Sequence, residues 1–550
     1  MKTRGRGAAA RVGSLAVAAL VTTLSCTDGE GDSSATSGVR IPTSPADLAV
    51  TVQDLSAFGE KRAGTEAGRA AGAYVRRRFE AAGLRVDEEE FHFPRHDAIG
   101  ASLSVTVDGT PWTPELDVLD GAATKQVEGE IVPIASARPA ELEGVDLTGK
   151  IALVGLDPAF HRSAQLRSVV ARGAAGFVYV STAPDNLRQV GTVRAAWEPE
   201  VAVPAVTIGA VDGERLRRAI EEGRVSRVAL SVEAKITPAT ARNVVARIDG
   251  TDPAMPVVVV GAHYDTWLSG AADNGGGVAA LVATAERWSR RPRPTGSILF
   301  VAYDAEELGL YGGYEFLRRH VVLERASIAA VVHFETPAAK DRPARTLARS
   351  RSEELDRALE QAGGDEDYRV YLPLGIVPAI SGGSIPTDIR GMYRAGIPTI
   401  LTSESSAYYH TLADTPDKVD VDLLARAVDH FDGVIEALLE RGPTCCRGRD
   451  LDLWRATVTH AERPGGELAV DVAVVDVDGL PVGGAAVEGW LLYDDFFPAG
   501  VLSAETDGAG RATLVYPAPM ASRRGTLGKR FLDVTAGRSY PLAETLTEVP

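Results

Sequence analysis

Apolar stretches in the middle of the chain predict buried strands. Val257–Gly261, Ile298–Tyr303 and Ile328–Phe334 are rich in apolar, β-branched residues, and Ile397–Thr402 predicts a fourth strand. Such runs are typical of strands covered on both faces of a parallel or mixed sheet. We therefore predict an α/β fold in which a mixed sheet is flanked by helices.

Helical spacing of apolar residues occurs on both sides of these strands. Ala46–Phe58 and Gly68–Ala82 precede them, and Val278–Ser289 lies between the first two. Val419–Glu440 follows them and carries its apolar residues on one face, as expected for a helix that packs on a core. Leu84–Phe93 alternates between polar and apolar residues and predicts an additional strand.

The pattern changes from about Thr110 to Ile236, where short strands and helices predict a separate α+β unit. Its predicted elements are, in order, Val127–Ile134, Lys150–Leu156, Leu166–Arg172, Gly176–Ser181, Ala205–Ile208 and Gly213–Glu222. From Trp454 onward, alternating runs separated by turns such as Asp478-Gly479 predict a C-terminal domain that resembles a β-sandwich.

The chain of 550 residues is long enough for several domains. The predicted division is a signal peptide (1–25), a flexible tether (26–45), a main α/β domain in two segments (46–109 and 237–440), an inserted domain (110–236), a linker (441–453) and a β-sandwich domain (454–550). Cys445 and Cys446 in the linker are adjacent, and we expect no routine disulfide between them because their Cα atoms lie too close together.

The N-terminus predicts an export signal. Four basic residues between Lys2 and Arg11 precede the uncharged stretch Val12–Leu24, which is too short to span a bilayer. Cys26 follows, ahead of a small and polar tether, and this resembles a bacterial lipoprotein site at which the cysteine is lipidated. The alternative is an ordinary secretory leader with an incidental cysteine. We expect export to the bacterial cell envelope as a lipoprotein, or to the periplasm or extracellular space.

Net charge excludes some classes of partner. Removal of the leader with its four basic residues takes the net charge from −17 to −21. An acidic protein is repelled by phosphate backbones and by anionic membrane surfaces, so we expect no nucleic-acid partner. Membrane attachment would then depend on a lipid at Cys26.

Acidic and imidazole side chains follow the predicted strands. His263 comes just after the first run, and the adjacent Glu306 and Glu307 come just after the second. Glu335 ends the third. Open α/β sheets bind ligands at the carboxyl ends of their strands, and imidazole and carboxylate hold Zn²⁺ where a site must stay open to water or substrate. The sequence therefore predicts a metal site at this edge of the sheet.

Two more candidate ligands lie in loops. Asp273 precedes a glycine-rich helix start, and His410 lies in the loop after the fourth predicted strand. Two metal ions can share one hydroxide and polarise a carbonyl, and the hydroxide needs a proton acceptor. Glu306 and Glu307 point in different directions, so that one can bind metal while the other faces the water. The residues alone leave open which does which.

Four sequence blocks carry a resemblance to a known family. They read Gly-Ala-His-Tyr-Asp-Thr, Gly-Ala-Ala-Asp-Asn-Gly-Gly-Gly-Val-Ala, Glu-Glu-Leu-Gly-Leu-Tyr-Gly and Tyr-His-Thr-Leu-Ala-Asp-Thr-Pro-Asp-Lys. With them, the segment from Asn243 to Asp420 resembles peptidase family M28, which comprises co-catalytic zinc aminopeptidases, glutamate carboxypeptidases and relatives. The resemblance implies two Zn²⁺ ions per chain and peptide substrates.

The resemblance also implies how the five ligands are shared. Asp273 would bridge the two ions, His263 and Glu335 would complete one site, and Glu307 and His410 would complete the other.

Further roles follow from the same resemblance. Glu306 would be the general base, and Tyr409 would donate a hydrogen bond to the developing oxyanion. Asp265 would stand behind the ligands and steer its neighbours.

The chain departs from the family pattern at two places. The family commonly has Asn-Xaa-Asp where this chain has His333-Phe334-Glu335, and we expect His333 to support the ligands because their number is already complete. Relatives often carry Ser-Asp-His where this chain has Ile385–Arg390, a loop that borders the pocket in the family. Substrate preference is therefore left open.

The inserted segment resembles a protease-associated domain, on the blocks Asp146-Leu-Thr-Gly-Lys-Ile-Ala-Leu-Val and Ala171-Arg-Gly-Ala-Ala-Gly-Phe-Val-Tyr-Val. We expect no chemistry in it, and its role would be to shape access to the site or to bind a protein partner whose identity the sequence does not reveal. The C-terminal domain resembles immunoglobulin-like or carboxypeptidase-regulatory-like sandwiches.

Three functions are compatible with these features. The favoured one is a di-zinc aminopeptidase in which a metal-bridged hydroxide, with Glu306 as general base, removes N-terminal residues. The alternatives are a carboxypeptidase or dipeptidase on the same site, and a non-catalytic receptor-like relative, against which the complete ligand set argues. A carboxypeptidase needs cations at the pocket, and near the motifs only Arg390 and Arg394 are obvious ones.

Overall fold

The computed structural model describes most of the chain from residue 43 to residue 549. The predicted signal peptide, Cys26, Cys445 and Cys446 lie outside the described residues. Within 43–549 the positions not described are 139, 156, 158–159, 195–201, 325, 343–344, 351, 364–367, 375–376, 378–380, 382–384, 396, 405, 442–453, 477, 494–497, 522–529 and 538–540.

The described part begins with two capped helices. Helix α1 covers Pro45–Ser56, and the side chain of Ser44 accepts a hydrogen bond from a backbone N–H of its first turn. Helix α2 covers Glu66–Ala81, and the Thr65 hydroxyl plays the same part. Such caps satisfy N–H groups that have no partner inside the helix, so both predicted helices begin where the sequence offers a hydroxyl.

Four parallel strands form the centre of a ten-stranded mixed sheet. They are β10 (Val257–His263), β12 (Ile328–His333), β15 (Thr399–Thr402) and β11 (Ile298–Tyr303), which pairs with β10 on its other side. Almost every residue in these strands is buried, which explains why the sequence shows continuous apolar runs there. The predicted strands and the mixed α/β fold class are confirmed.

A long two-stranded ribbon continues this sheet. Strand β1 (Arg85–Val107) pairs antiparallel with β9 (Val225–Ile248), and the inner end of β9 pairs with β11. The predicted strand Leu84–Phe93 is therefore too short. Pro94 and the polar residues after it argue against a strand locally, but β9 supplies backbone partners along the whole ribbon, and such pairing overrides local propensity. The ribbon carries the inserted domain.

The inserted domain is built on a five-stranded sheet with the order β3-β8-β7-β6-β5. The prediction of one strand over Val127–Ile134 is wrong. The extended backbone is interrupted at Glu130, and the segments on either side of it join different sheets. Strand β4 (Lys125–Gly129) pairs with the ribbon, and β5 (Ile131–Ile134) pairs with β6. The other elements are β3 (Leu116–Val118), β6 (Ile151–Val154), α3 (Arg162–Val170), β7 (Gly176–Val180), β8 (Ala205–Ile208) and α4 (Ala210–Glu221).

The remaining elements of the main domain surround the central strands. They are β2 (Thr110–Trp112), the π-helical turn Ala271–Gly275, α5 (Gly276–Ser289), α6 (Tyr311–Phe316), the π-helical turn Leu317–Leu323, β13 (Arg345–Arg349), α7 (Glu353–Gln361), β14 (Tyr368–Pro373), α8 (Arg390–Arg394), the 3₁₀ turn Pro416–Lys418 and α9 (Val421–Leu439). The helices α1, α2, α5 and α9 bury their apolar faces in one core with the central strands.

The C-terminal domain consists of two antiparallel sheets, with the orders β16-β17-β20 and β19-β18-β21-β22. Side chains from both sheets form one core, as in a β-sandwich, and Trp490 packs with residues of the main domain. Its elements are β16 (Trp454–Glu462), β17 (Leu468–Asp476), β18 (Ala486–Tyr493), β19 (Pro498–Glu505), β20 (Arg511–Tyr516), α10 (Ala518–Ala521), β21 (Arg530–Gly537) and β22 (Pro541–Val549). Across the described ranges, no helix is long and apolar enough to cross a bilayer.

A buried carboxylate of helix α9 forms ion pairs with two arginines at the end of α5. Asp432 is fully buried in α9, and one of its oxygens lies 3.3 Å from Nη1 of Arg287 and 2.5 Å from Nη2 of Arg291. A buried charge of this kind is stable only while its partners remain. Asp429, one turn earlier, also contacts Arg287, but its side chain is 41% exposed.

We predict that Asp432→Ala lowers the free energy of unfolding by about 3–5 kcal/mol, because it leaves two arginines facing a buried site without their carboxylate. Asp429→Ala is the matched control and should cost less than about 1 kcal/mol, since the Asp429 carboxylate is exposed to solvent. Urea denaturation of both variants measures the difference. Equal effects of the two substitutions would contradict this account of α9.

Candidate metal centre

The carboxyl ends of three parallel strands place four of the predicted residues together. His263 is the last residue of β10, and it lies beside Tyr303, the last residue of β11. Glu306 and Glu307 follow β11 after a short turn, and both are buried. Glu335 follows β12, and its backbone N–H donates to the hydroxyl of Thr402 on β15. The parallel pairing of the strands therefore brings the side chains to one edge.

Loops bring the other two candidate ligands to the same edge. Asp273 lies in the π-helical turn just before α5, and His410 lies in the loop after β15 with φ of 58°. Asp414 joins the two segments, because its carboxylate accepts hydrogen bonds from the backbone N–H groups of Ala272 (2.8 Å) and Asp273 (3.1 Å).

Asp273 stands between two imidazoles. Its Oδ1 lies 3.3 Å from Nε2 of His263, and its Oδ2 lies 3.1 Å from Nε2 of His410. Each imidazole also faces a second carboxylate, with Glu335 Oε1 at 3.3 Å from His263 Nε2 and Glu307 Oε2 at 2.9 Å from His410 Nε2. The site thus has two similar halves that share one carboxylate.

The donor atoms fit zinc. Bonds of about 2.0–2.1 Å in a tetrahedral site leave neighbouring ligand atoms roughly 3.3 Å apart, close to the separations found here. Asp273 Oδ1, Glu307 Oε1 and His410 Nε2 are buried and make no hydrogen bond to any described residue. Buried polar atoms left without such a bond are rare and need a partner of another kind. Imidazole with carboxylate is a donor set that zinc accepts.

Both imidazoles are oriented by backbone carbonyl groups. Nδ1 of His263 lies 2.9 Å from the carbonyl oxygen of Asp265, and Nδ1 of His410 lies 3.0 Å from that of Val190. A carbonyl can only accept, so in each ring Nδ1 carries the proton. Each Nε2 then presents its lone pair to the centre, as a metal ligand must.

Asp265 fixes the two glutamates through their backbone. It is fully buried, and its carboxylate accepts hydrogen bonds from the N–H groups of Glu306 (3.0 Å) and Glu307 (3.2 Å). These contacts set the turn that follows β11. Asp265 therefore contacts the backbone of both glutamates, and its supporting role behind the ligands stays a prediction.

His333 and Thr387 hold Glu335 from the other side. Glu335 Oε2 lies 3.1 Å from Nε2 of His333, and the hydroxyl of Thr387 donates to the same oxygen at 3.0 Å. Burial lowers the pKa of His333 below its ordinary value, although the contact with Glu335 opposes this. The loop Ile385–Arg390, where the chain departs from the family pattern, thereby supplies a contact to the longer Glu335 side chain.

Burial dominates the electrostatics of the acids. It raises the pKa of Glu306 well above its usual range, and it also raises the pKa of Glu307. Burial would raise the pKa of Asp273 as well, but the two imidazoles that face it hold that pKa below its usual value. Burial lowers and the carboxylates raise the pKa of His410, to about 9 overall.

The structure adds residues that sequence analysis did not identify. Asp414 was within a quoted block, so its proximity to Asp273 had a signal but no assigned role. Lys61 had none: it is buried behind the site, its Nζ donates to the carbonyl of Ser269 at 2.6 Å, and burial lowers its pKa to about 8. The third residue is Arg162, whose guanidinium lies 3.5 Å from His410 Nδ1. It belongs to the inserted domain, and that domain was expected to carry no chemistry.

Comparison with known proteins identifies the domain that holds this site. Residues 243–434 match the model of peptidase family M28. This part of the chain is therefore similar to peptidase family M28. Residues 124–216 match the PA domain, which is the protease-associated domain expected from the sequence. Both recognitions are thereby confirmed.

Relatives of the M28 domain differ in their names. A probable lipoprotein aminopeptidase, LpqL, of Mycobacterium tuberculosis is 25% identical over 54% of this chain and 60% of that protein. A probable leucine aminopeptidase 2 of Aspergillus fumigatus is 29% identical over 34% of this chain and 37% of its own length. A glutamate carboxypeptidase 2 homolog of Caenorhabditis elegans is 25% identical over 38% and 29% of the two chains. The chain thus spans less than two thirds of these relatives.

Solved structures show the same fold. The zinc aminopeptidase of Bacillus subtilis superposes with a TM-score of 0.57 at 20% identity, covering 75% of this chain and 98% of that one. An aminopeptidase from Aneurinibacillus sp. strain AM-1 gives 0.56 at 21% identity, covering 73% and 95%. At these identities the likeness concerns the fold, so the activity must be argued from the residues of this chain.

We predict that Asp265→Asn weakens zinc binding about 10–100-fold, the usual effect of removing a group that supports ligands. The Glu306 and Glu307 N–H groups bond to different oxygens of Asp265, and in asparagine one of these oxygens is replaced by an NH2 group that cannot accept. Competition with a chelating dye measures the affinity. Asp252→Asn is the control, because Asp252 also accepts a backbone N–H but is exposed. Unchanged zinc affinity in Asp265→Asn would show that its carboxylate does not organise the site.

Proposed function

We propose that this protein is an exported zinc-dependent exopeptidase of the aminopeptidase type, which hydrolyses the N-terminal residues of peptides. The observation that carries the proposal is the shared carboxylate of Asp273, set between two imidazoles that each face a further carboxylate. Such a double site with an additional buried acid beside it is suited to metal-assisted hydrolysis.

The residues divide naturally into two zinc sites. His263, Asp273 and Glu335 would hold one ion, and Asp273, Glu307 and His410 would hold the other, giving two per chain. Zinc, when bound, would polarise the scissile carbonyl and acidify the attacking water.

Glu306 is the proposed general base. Glu307 Oε2 lies 2.9 Å from Nε2 of His410, which fits a ligand, and the carboxylate of Glu306 lies close to the donor atoms of His263 and Glu335, beside the other proposed ion. Because burial raises its pKa, Glu306 can hold a proton taken from the attacking water. As the carbonyl carbon gains a bond to the water oxygen and loses its bond to nitrogen, that proton passes to the leaving amine.

Tyr409 is the proposed hydrogen-bond donor to the oxyanion. Its ring stacks on His410 with centroids 3.7 Å apart, which places the phenol at the second half of the site. Burial raises the pKa of Tyr409 well above its ordinary value, so the hydroxyl keeps its proton and can donate it to a developing negative charge.

A carboxypeptidase or dipeptidase is the second candidate. It is favoured by Arg390, which is buried at the start of α8 in the loop that contacts Glu335 through Thr387, and by the similarity to a protein named as a glutamate carboxypeptidase homolog. A substrate carboxylate would need such a cation. The side chain of Arg394 lies outside the described residues.

The cellular setting is part of the proposal. The leader and Cys26 suggest a lipoprotein of the bacterial cell envelope, and the relative named as a lipoprotein aminopeptidase supports that location. Attachment would run through a lipid on Cys26, with peptides as substrates. The domain boundaries given from the sequence are proposed with it, and a protein partner of the inserted domain stays unidentified.

Two neighbouring substitutions separate ligand from base. The purified protein should hold about two zinc equivalents. Glu306→Gln should keep both ions and lose turnover by roughly 10²–10⁴-fold, the usual contribution of a positioned base. Glu307→Gln should lose zinc as well as activity. Elemental analysis with steady-state kinetics decides the matter, and a metal-replete Glu306→Gln enzyme with normal turnover would overturn the assignment.

The direction of attack can be read from blocked substrates. Buried acids around the metals can hold a free α-ammonium group, so aminoacyl anilides and unblocked peptides should be cleaved, while N-acetylated peptides should not. Mass spectrometry of the products identifies the end that is trimmed. Efficient trimming of an N-acetylated peptide from its C-terminus would favour the second candidate, and Arg390→Ala would then be the first variant to measure.

A further inference from the structure

The inserted domain directly contacts the half of the metal centre that contains Glu307 and His410. The Nδ1–H of His410 donates to the carbonyl of Val190, and the backbone N–H of Val190 donates to the carbonyl of His410, both at 3.0 Å. The Gln189 side chain donates to the carbonyl of Tyr409 at 3.3 Å. A short segment of the inserted domain, Gln189 to Gly191, is thus hydrogen-bonded to Tyr409 and His410, and we call this segment the strap.

Arg162 brings a positive charge to the same place. It is the first residue of α3, it is 8% exposed, and its Nε donates to the carbonyl of Thr192 at 2.9 Å. Its charge also acts on the neighbouring phenol: burial raises the pKa of Tyr409, and the Arg162 guanidinium opposes that rise. The 3.5 Å approach of Nη2 to His410 Nδ1 is a close contact and no hydrogen bond, because the proton on that nitrogen is already given to Val190.

The backbone leaves room for this guanidinium at Gly191. Its φ is 137°, which side chains rarely adopt, and a Cβ atom at this position would lie 2.0 Å from Nη2 of Arg162. The strap therefore approaches Arg162 more closely than any other residue type would allow. Arg162 is enclosed between the strap and the Tyr409–His410 pair.

Holding Tyr409 also holds His410, because the two rings are stacked with an interplanar angle of 17°. One guanidinium thereby acts on both the proposed oxyanion donor and a proposed zinc ligand. Its fork of donors has a fixed geometry, so it can restrain the phenol relative to the strap more tightly than a flexible ammonium group could.

We propose that Arg162 is a positioning residue for Tyr409 and His410, and that the inserted domain completes the catalytic site in this way. The proposal rests on the proposed function in so far as Tyr409 is taken as the oxyanion donor. It replaces the expectation that the inserted domain carries no chemistry. An arginine that positions the donor affects the transition state, whereas an arginine that binds the substrate affects KM.

The first test is steady-state kinetics of Arg162→Met and Arg162→Lys in the full chain, with an aminoacyl anilide as substrate. Methionine keeps the apolar bulk of the side chain and removes its charge and its donors. We expect kcat to fall about 10–100-fold with KM within about twofold and two zinc ions retained. Lysine should restore only part of kcat. Arg172→Met, an exposed arginine of the same domain, should behave as wild type.

The second test does not depend on turnover. Butaneboronic acid becomes tetrahedral when it takes up a water-derived oxygen, so it mimics the geometry that Tyr409 would stabilise. Isothermal calorimetry should show about tenfold weaker binding to Arg162→Met than to wild type and Arg172→Met. If wild type cleaves no anilide, the proposed aminopeptidase function fails, and the boronate result alone decides the role of Arg162.

Several results would overturn the proposal. These are wild-type kcat and wild-type boronate affinity in Arg162→Met, or a rise in KM at unchanged kcat, which would make Arg162 a substrate-binding residue. If Arg162→Met loses zinc or unfolds at a lower temperature, Arg162→Lys takes its place. A stable, zinc-replete Arg162→Lys enzyme with both wild-type kcat and wild-type boronate affinity would then be decisive against a positioning role.

Discussion

One short carboxylate sets the geometry of this site. Asp273 has to reach His263 with one oxygen and His410 with the other, and it does so at 3.3 and 3.1 Å. Its side chain has little freedom, so the end of β10, the turn before α5 and the loop after β15 must all be held in register. Asp414 contributes to this by binding the backbone of the Asp273 turn.

Burying so many acids in one place opposes folding, and the surrounding structure shows how the charges are accommodated. Both carboxylate oxygens of Asp265 accept hydrogen bonds from backbone N–H groups. These bonds stabilise the buried charge and fix the turn that carries Glu306 and Glu307. Lys61 places a buried ammonium group behind the same acids. The proposed zinc site is therefore supported by groups outside its proposed ligand set, and these groups connect its chemistry to the stability of the fold.

The topology explains how an inserted domain can take part in that chemistry. The ribbon of β1 and β9 leaves the central sheet next to β11, the strand that delivers Glu306 and Glu307. The inserted domain then returns to the site through Val190 and Arg162. Segments of the two domains meet at His410, so we expect a change in the inserted domain to affect this proposed metal ligand without any alteration of the M28 domain itself.

The sequence by itself determined the central strands, the main helices and the candidate ligands, because buried strands need continuous apolar runs and strand ends share one edge. It also identified the M28 family through local blocks of residues. Only the tertiary structure decided the length of the ribbon, the division of Val127–Ile134 between two sheets, and the places of Lys61 and Arg162. Those features depend on partners far away in the chain: Arg162 lies 248 positions from His410, and no local pattern marks such a contact.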